Sequence, residues 1–159
     1  MTHYIGIDPG ASGGVALYDG KTLSASKCPK KVGDMYALLE IYASRGDLRQ
    51  TAVLIEKVWS FPSDSSKTAF AFGRNYGSWI AALEIIGLNY KLVTPKGWQK
   101  HFEVPKLQKK ERKNWLKAYA QKQVDKTEMK FNVTLYTADA IMIALAVKDM
   151  WEGLDYVEL

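Results

Sequence analysis

The chain has 159 residues, 47% of them apolar and 25% charged, with a net charge of +5; that composition suits a single globular domain, 1–159, with a full core. No apolar run approaches the ~18–20 residues of a membrane span, and MTHYIGIDPG lacks the basic start, apolar stretch and small-residue cleavage site of a signal peptide. A lone cysteine, Cys28, excludes an intrachain disulfide and a cysteine-based zinc site and fits a reducing, cytoplasmic setting.

In chain order, HYIGID at 3–8 reads as a short apolar strand that ends in an acid, followed by the turn-rich PGASGG. VALYDGKTLSASKC reads as two strands joined at Asp19-Gly20, a two-residue hairpin signal. Residues 32–45 place Met35, Leu38, Leu39 and Tyr42 on one helical stripe, which Gly46 and Asp47 stop. TAVLIEKV at 51–58 is rich in β-branched residues and reads as a buried strand. A serine-rich loop with Pro62 leads to a long helix at 67–87, in which Gly73 and Gly77 share a face. Two helix-weakening glycines at that spacing point to a close approach by another backbone. NYKLV at 89–93 is another strand, Thr94-Pro95 starts a short helix, and 106–124 form a basic helix. Residues 125–135 lack a pattern, and a last helix from about Thr137 is apolar nearly all round, so it should be buried. The order β-β-β-α-β-α-β-α-α-α implies an α/β fold with a mixed sheet and helices on its faces.

Half of the 22 Lys and Arg fall in residues 96–130, eleven against four acids, so one segment is cationic and the remaining body mildly acidic. That asymmetry suits a polyanion held on one face. Lysines kept for solubility would look the same by charge alone.

Asp8, Glu56 and Asp139 are acids where the local pattern calls for apolar side chains: two at strand ends and one in the first turn of a buried helix. A buried carboxylate has to be neutralised, paired or bound to a metal. Asp139 alone would read as a helix cap. Convergent carboxylates without His or Cys suit a hard cation such as Mg²⁺. Two such ions about 3.5–4 Å apart serve phosphodiester hydrolysis.

Taken together, IGIDPGASGGVALYDG, LIEKV, AFGRNYGSWIAAL, VTPKGWQKHF and TADAIMIALA, in register from residue 4 to about 147, resemble the RuvC family of Holliday-junction resolvases. The resemblance implies a ribonuclease-H-like fold with a mixed five-stranded sheet, and Asp8, Glu56 and Asp139 as catalytic, metal-binding residues. It implies two Mg²⁺ ions per site, with Mn²⁺ able to substitute, and no small-molecule cofactor. It also implies a homodimer, with Gly73 and Gly77 at its interface, that nicks a four-way junction in paired fashion, and no membrane association. Short, divergent versions of the pattern resemble bacteriophage resolvases, which would place the protein in a host cytoplasm. One departure stands out: many family members carry Asp or His three positions before the final Asp, where this chain has Tyr136.

Candidate DNA contacts are Trp59 and Phe61, aromatics that follow Glu56 and could stack on bases, with Arg74, Lys96, Lys100, Lys109, Lys110 and Lys113 for phosphates. Core packing is the competing role for the aromatics, and salt-bridging for Arg74 and Asn75. Trp98 and Trp115 read as core anchors, and His3 and His101 as surface or satisfied histidines. The competing functions are another ribonuclease-H-like nuclease acting on RNA–DNA hybrids or single strands, a sugar or acetate kinase lobe, for which 159 residues are too few, and a DNA-binding protein without catalysis.

Overall fold

A computed structural model describes residues 3–57 and 65–154. Five strands, β1 (His3–Ile7), β2 (Gly14–Tyr18), β3 (Leu23–Lys27), β4 (Thr51–Glu56) and β5 (Asn89–Val93), form one sheet in the order β3-β2-β1-β4-β5. The β1–β2 and β2–β3 pairs are antiparallel, and β1–β4 and β4–β5 are parallel. Helices α1 (Val32–Ala43) and α2 (Ser66–Ile86) pack on one face, where Met35, Leu39, Trp79 and Leu83 meet Ile5, Ile7, Val53 and Ile55. Helices α3 (Pro95–His101), α4 (Lys109–Val124) and α5 (Ala138–Met150) cover the other, where Trp98, Leu116 and Ile141 meet Ala16, Leu54 and Val93. Alternation of side chains along each strand feeds both cores. No helix among the described residues is long and apolar enough to cross a membrane.

The element order is the one the sequence predicts, with local differences that have physical causes. The β2–β3 loop takes four residues, Asp19–Thr22, rather than two. Asp19 Oδ1 accepts from the N–H groups of Lys21 and Thr22 at 2.9 and 2.7 Å, Asp19 Oδ2 takes the Thr22 hydroxyl, and Gly20 supplies φ +92°. Helix α4 starts at Lys109, three residues after the expected start, because the chain stays irregular past Pro105. His3 is buried rather than at the surface, its ring packed on Gly46 and its Nδ1 without a hydrogen-bond partner among the described residues. His101 pairs with Asp149 at 3.4 Å.

Helix α5 is buried nearly all round, as its composition predicts. It lies directly on β1: a Cβ on Gly6 would come within 2.2 Å of the Ala144 nitrogen and 2.3 Å of the Ala140 oxygen. Only glycine permits that backbone-to-backbone approach. Gly6→Ala is therefore expected to lower unfolding free energy by about 1–3 kcal/mol or more, measured by urea denaturation. Gly73→Ala, whose added Cβ meets nothing within 4 Å among the described residues, should not destabilise the monomer and should gain about 1 kcal/mol of helix propensity.

Candidate metal and nucleic-acid site

The three acids singled out by pattern come from three elements that meet at one end of the sheet. Asp8 continues β1 by one residue: its N–H donates to Gly14 O at 3.0 Å, and Gly14 N–H donates back at 3.1 Å. Two residues on from Gly6, it shares the α5-facing side. Glu56 ends β4 with the same parity as Leu54, and the β1–β4 register, which pairs Ile7 with Ile55, carried one step further sets Asp8 beside Glu56. Asp139 lies in the first turn of α5, which the Gly6 contact presses onto β1.

Each carboxyl is mostly buried and each is pushed up in pKa, above all by desolvation. Burial raises Asp8, opposed by the Gly10 N–H on its Oδ1 at 3.1 Å and by Lys113. Glu56 rises to about 8, with the charges of Asp8 and Asp139 adding to its burial. Asp139 rises to about 6 through burial and Asp8, against the pull of Lys113 and Arg112. Mutual repulsion ties the three electrostatically. Asp139 does not cap its helix, and none of the three acids forms an ion pair among the described residues.

The donor chemistry fits an oxygen-preferring dication: three desolvated carboxylates whose charges need a counter-ion. The distances are not closed to match, for among the described residues no three Asp, Glu, His or Cys side chains stand as a ready ligand set. Asp8, Glu56 and Asp139 are thus neighbours by charge and register, with their oxygens still apart.

Packing around Asp8 is tight. A Cβ on Gly13 would come within 2.0 Å of the Asp8 carbonyl oxygen, so close packing accounts for the glycine in this loop. The Cys28 thiol, pushed up to about 12 by burial and Asp8, donates to that carbonyl at 3.1 Å. Asn75 of α2, a phosphate-contact candidate in sequence, donates its amide to the Pro9 carbonyl.

Two neighbours carry no signal in the sequence. Trp98, a core anchor as expected and fully buried, also faces Glu56. Its indole N–H is close enough to favour the ionised carboxylate, yet it has no partner in hydrogen-bond geometry; the contact is long and imperfect. Arg112 sits in the basic run, but only its place beside Asp139 marks it as part of the site.

Lys113 lies within electrostatic reach of both Asp8 and Asp139. Lys109 and Lys110 are exposed in the first turn of α4. Lys96, Lys100, Lys106 and Arg112 line a groove of about 720 Å³ between α3 and the start of α4, with Glu103 as its acid. Cations at a helix N-terminus oppose the helix dipole, so the first turns of α4 carry a charge that local stability disfavours.

Arg74 is exposed on α2. Gly73 and Gly77 are also exposed, with nothing among the described residues near a prospective Cβ; the close approach inferred from their spacing does not come from the described part of the chain. Phe70 and Ile85 on the same helix are 74% and 73% exposed. Tyr136, 42% exposed, lies beside Lys27, whose Nζ stands 4.1 Å from the ring centroid. Trp59 and Phe61 lie outside the described residues.

No protein-family model matches the chain, and no curated protein matches it. Solved structures do. RuvC of Thermus thermophilus shares 19% identity over 96% of both chains, with a TM-score of 0.61. The T. thermophilus RuvC in complex with a Holliday-junction substrate shares 17% identity, again over 96% of both chains, with a TM-score of 0.63. The chain therefore has the RuvC-like, ribonuclease-H-like α/β fold that its motifs led us to expect.

Proposed function

We propose that this chain is a divalent-metal-dependent, structure-selective endonuclease that resolves four-way and related branched DNA by paired phosphodiester hydrolysis. The observation that carries the reading is the meeting of Asp8, Glu56 and Asp139, from three separate elements, as one desolvated and mutually repelling group. The RuvC-like fold and the junction bound by one of its solved neighbours support the choice of substrate.

Asp8, Glu56 and Asp139 would hold the cation, Mg²⁺ or in its stead Mn²⁺, as one or two ions. When bound, it supplies charge to the scissile phosphate and lowers the pKa of attacking water. The chain's own residues do the rest. Gly10 N–H orients the Asp8 carboxylate through Oδ1. Trp98 favours the ionised form of Glu56. Lys113 and Arg112 sit beside the acids, where a phosphate backbone would otherwise be repelled. Lys96, Lys100, Lys109 and Lys110, with Lys106, extend that positive surface away from the acids. Trp59 and Phe61 remain candidates for stacking at the branch point. A homodimer would join two sites for paired cutting, and the exposed α2 face with Gly73, Gly77 and Phe70 is the surface we assign to it.

The direct test is purified protein, Mg²⁺ and a labelled four-way junction, run beside duplex, flap and RNA–DNA hybrid. Symmetric paired nicks in the junction are expected. Preferential cutting of the hybrid or of single strands would assign a different substrate, and tight junction binding with no cutting in Mg²⁺ or Mn²⁺ would leave a non-catalytic binder. Asp8→Asn and Asp139→Asn should each abolish cutting while junction affinity persists; normal cutting by either variant would remove that residue from the site. Replacing Lys109, Lys110 and Lys113 together should weaken binding and flatten its salt dependence, by about 0.9 in log–log slope for each phosphate no longer neutralised.

The raised acids give a pH dependence. In the folded, metal-free protein Glu56 holds its proton up to about 8, whereas in the unfolded chain it ionises near 4.5. Between those values the folded state binds more protons, so this contribution is intact below about pH 4.5 and is lost as pH rises toward 8. Glu56→Gln should therefore stabilise the metal-free protein at pH 8 by on the order of 1–3 kcal/mol, with little effect at pH 4.5. A pH series of thermal melts in EDTA reads this out. Gly73→Glu combined with Gly77→Glu should give a folded monomer by sedimentation velocity that makes single nicks; a dimer that survives both changes would clear α2 of the role.

A further inference from the structure

Resting on the nuclease reading, we propose that Tyr136 and Lys27 form a nucleotide-binding shelf beside the three carboxylates, the Tyr136 ring stacking on a base next to the cut and the Lys27 ammonium contacting an adjoining phosphate. Tyr136 falls where resolvases of similar pattern carry a metal-site Asp or His, and a neutral phenol is a poor ligand for a hard cation. Its surroundings point to another use.

The backbone that carries Tyr136 is fixed. A Cβ on Gly14 would come within 2.4 Å of the Tyr136 carbonyl oxygen and 3.2 Å of the Thr137 Cα, so the start of α5 is laid directly on the start of β2. Gly14 pairs with Lys27 across the β2–β3 ladder. Lys27 has the parity of Ala25, which packs with the α5-side core, so its side chain emerges on the face that carries Asp8, Glu56 and Asp139. There its Nζ lies 4.1 Å from the Tyr136 ring centroid. A cation that covers one face of an aromatic ring holds the ring in place.

The ring nevertheless stays 42% exposed, and its neighbour Leu135 is 47% exposed. Two large side chains, three and four residues before Asp139, are thus left nearly half exposed. A planar, pre-positioned ring three residues before Asp139, in a cluster that would act on phosphodiesters, matches a nucleobase, since every base offers a π-face. The ammonium alongside supplies the charge that the neighbouring phosphate needs. A second metal ligand at position 136 would instead call for a carboxylate or imidazole, and the neutral phenol beside a lysine is neither.

The shelf is tested with four-way junctions that each carry one 2-aminopurine within three nucleotides of the branch point, bound in EDTA so that no cutting occurs. At one or more positions the fluorescence should be lower with wild type and Tyr136→Phe than with Tyr136→Leu. Tyr136→Leu should weaken junction binding about tenfold, Tyr136→Phe less than twofold, and Lys27→Gln should lower the salt-dependence slope by about one. Because the ring is exposed, all three variants should melt within a few degrees of wild type, which separates loss of the shelf from loss of the fold. Identical fluorescence and affinity for Tyr136→Leu and wild type would overturn the shelf. So would faster cutting by Tyr136→Asp in Mg²⁺ at unchanged affinity, which would make the position a vacated metal ligand. Failure of wild type to cut any branched DNA would defeat the nuclease reading alone, because the binding signals do not depend on catalysis.

Discussion

Everything at this site depends on a helix lying against a strand with no side chain between them. Gly6 lets the backbone of α5 at Ala140 and Ala144 reach β1, and that contact carries Asp139 to the end of the strand where Asp8 and Glu56 already sit. The same intimacy recurs at the neighbouring turn, where Gly13 admits the Asp8 backbone and Gly14 admits residues 136 and 137. Bulkier residues at these positions would lift the helix and its acid away from the sheet. The glycines set the geometry, and the carboxylates inherit it.

Confinement has an electrostatic consequence. Burial raises all three carboxyls, the charge of Asp8 adds to the rise of Asp139, and the charges of both add to that of Glu56, which rises to about 8. Such a corner is stable only with protons or a cation in it. The positive first turns of α4 reach it through Lys113 and Arg112, but none of the three acids is paired with them within ion-pair distance among the described residues. The cations lower the pKa of Asp139 without neutralising the site. Charge is thus held in two adjacent zones, one negative and buried, one positive and half exposed. A phosphate bridging cation and lysine would satisfy both.

Much of this is legible from residue order because the acids break the apolar pattern of the elements that hold them, and periodicity fixes which elements those are. The parity of Asp8 with Gly6, and of Glu56 with Leu54, follows from strand alternation once the strands are recognised. Other features are tertiary and leave no trace in spacing. Trp98 is anchored in the core as its sequence suggests, but its nearness to Glu56 depends on how α3 turns back after β5. Arg112 is one cation among eleven in its segment until the packing of α4 beside α5 singles it out. The Asp19 turn is four residues long because a side chain took over hydrogen bonds that a two-residue hairpin would have made through backbone. His3 reads as a surface or satisfied histidine, and only the fold shows Gly46 opening a buried space for its ring.

Where the chain departs from what local stability favours, the departures gather at one end of the sheet. Acids occupy strand ends and a helix start inside the core, lysines crowd the positive end of α4, and large apolar side chains stand in solvent at residues 135 and 136. Away from that end several helix termini follow the ordinary rules: Thr94 caps α3 through the Gly97 N–H, Ser65 caps α2 through the Thr68 N–H, and Gly87 closes α2 with a positive φ. Several departures gathered in one place mark a constraint there that folding does not impose. On the proposed reading one ligand would relieve each departure, since a cation would relieve the acids, phosphates the lysines, and a base would cover the ring. One strand of nucleic acid with its counter-ions would supply all three.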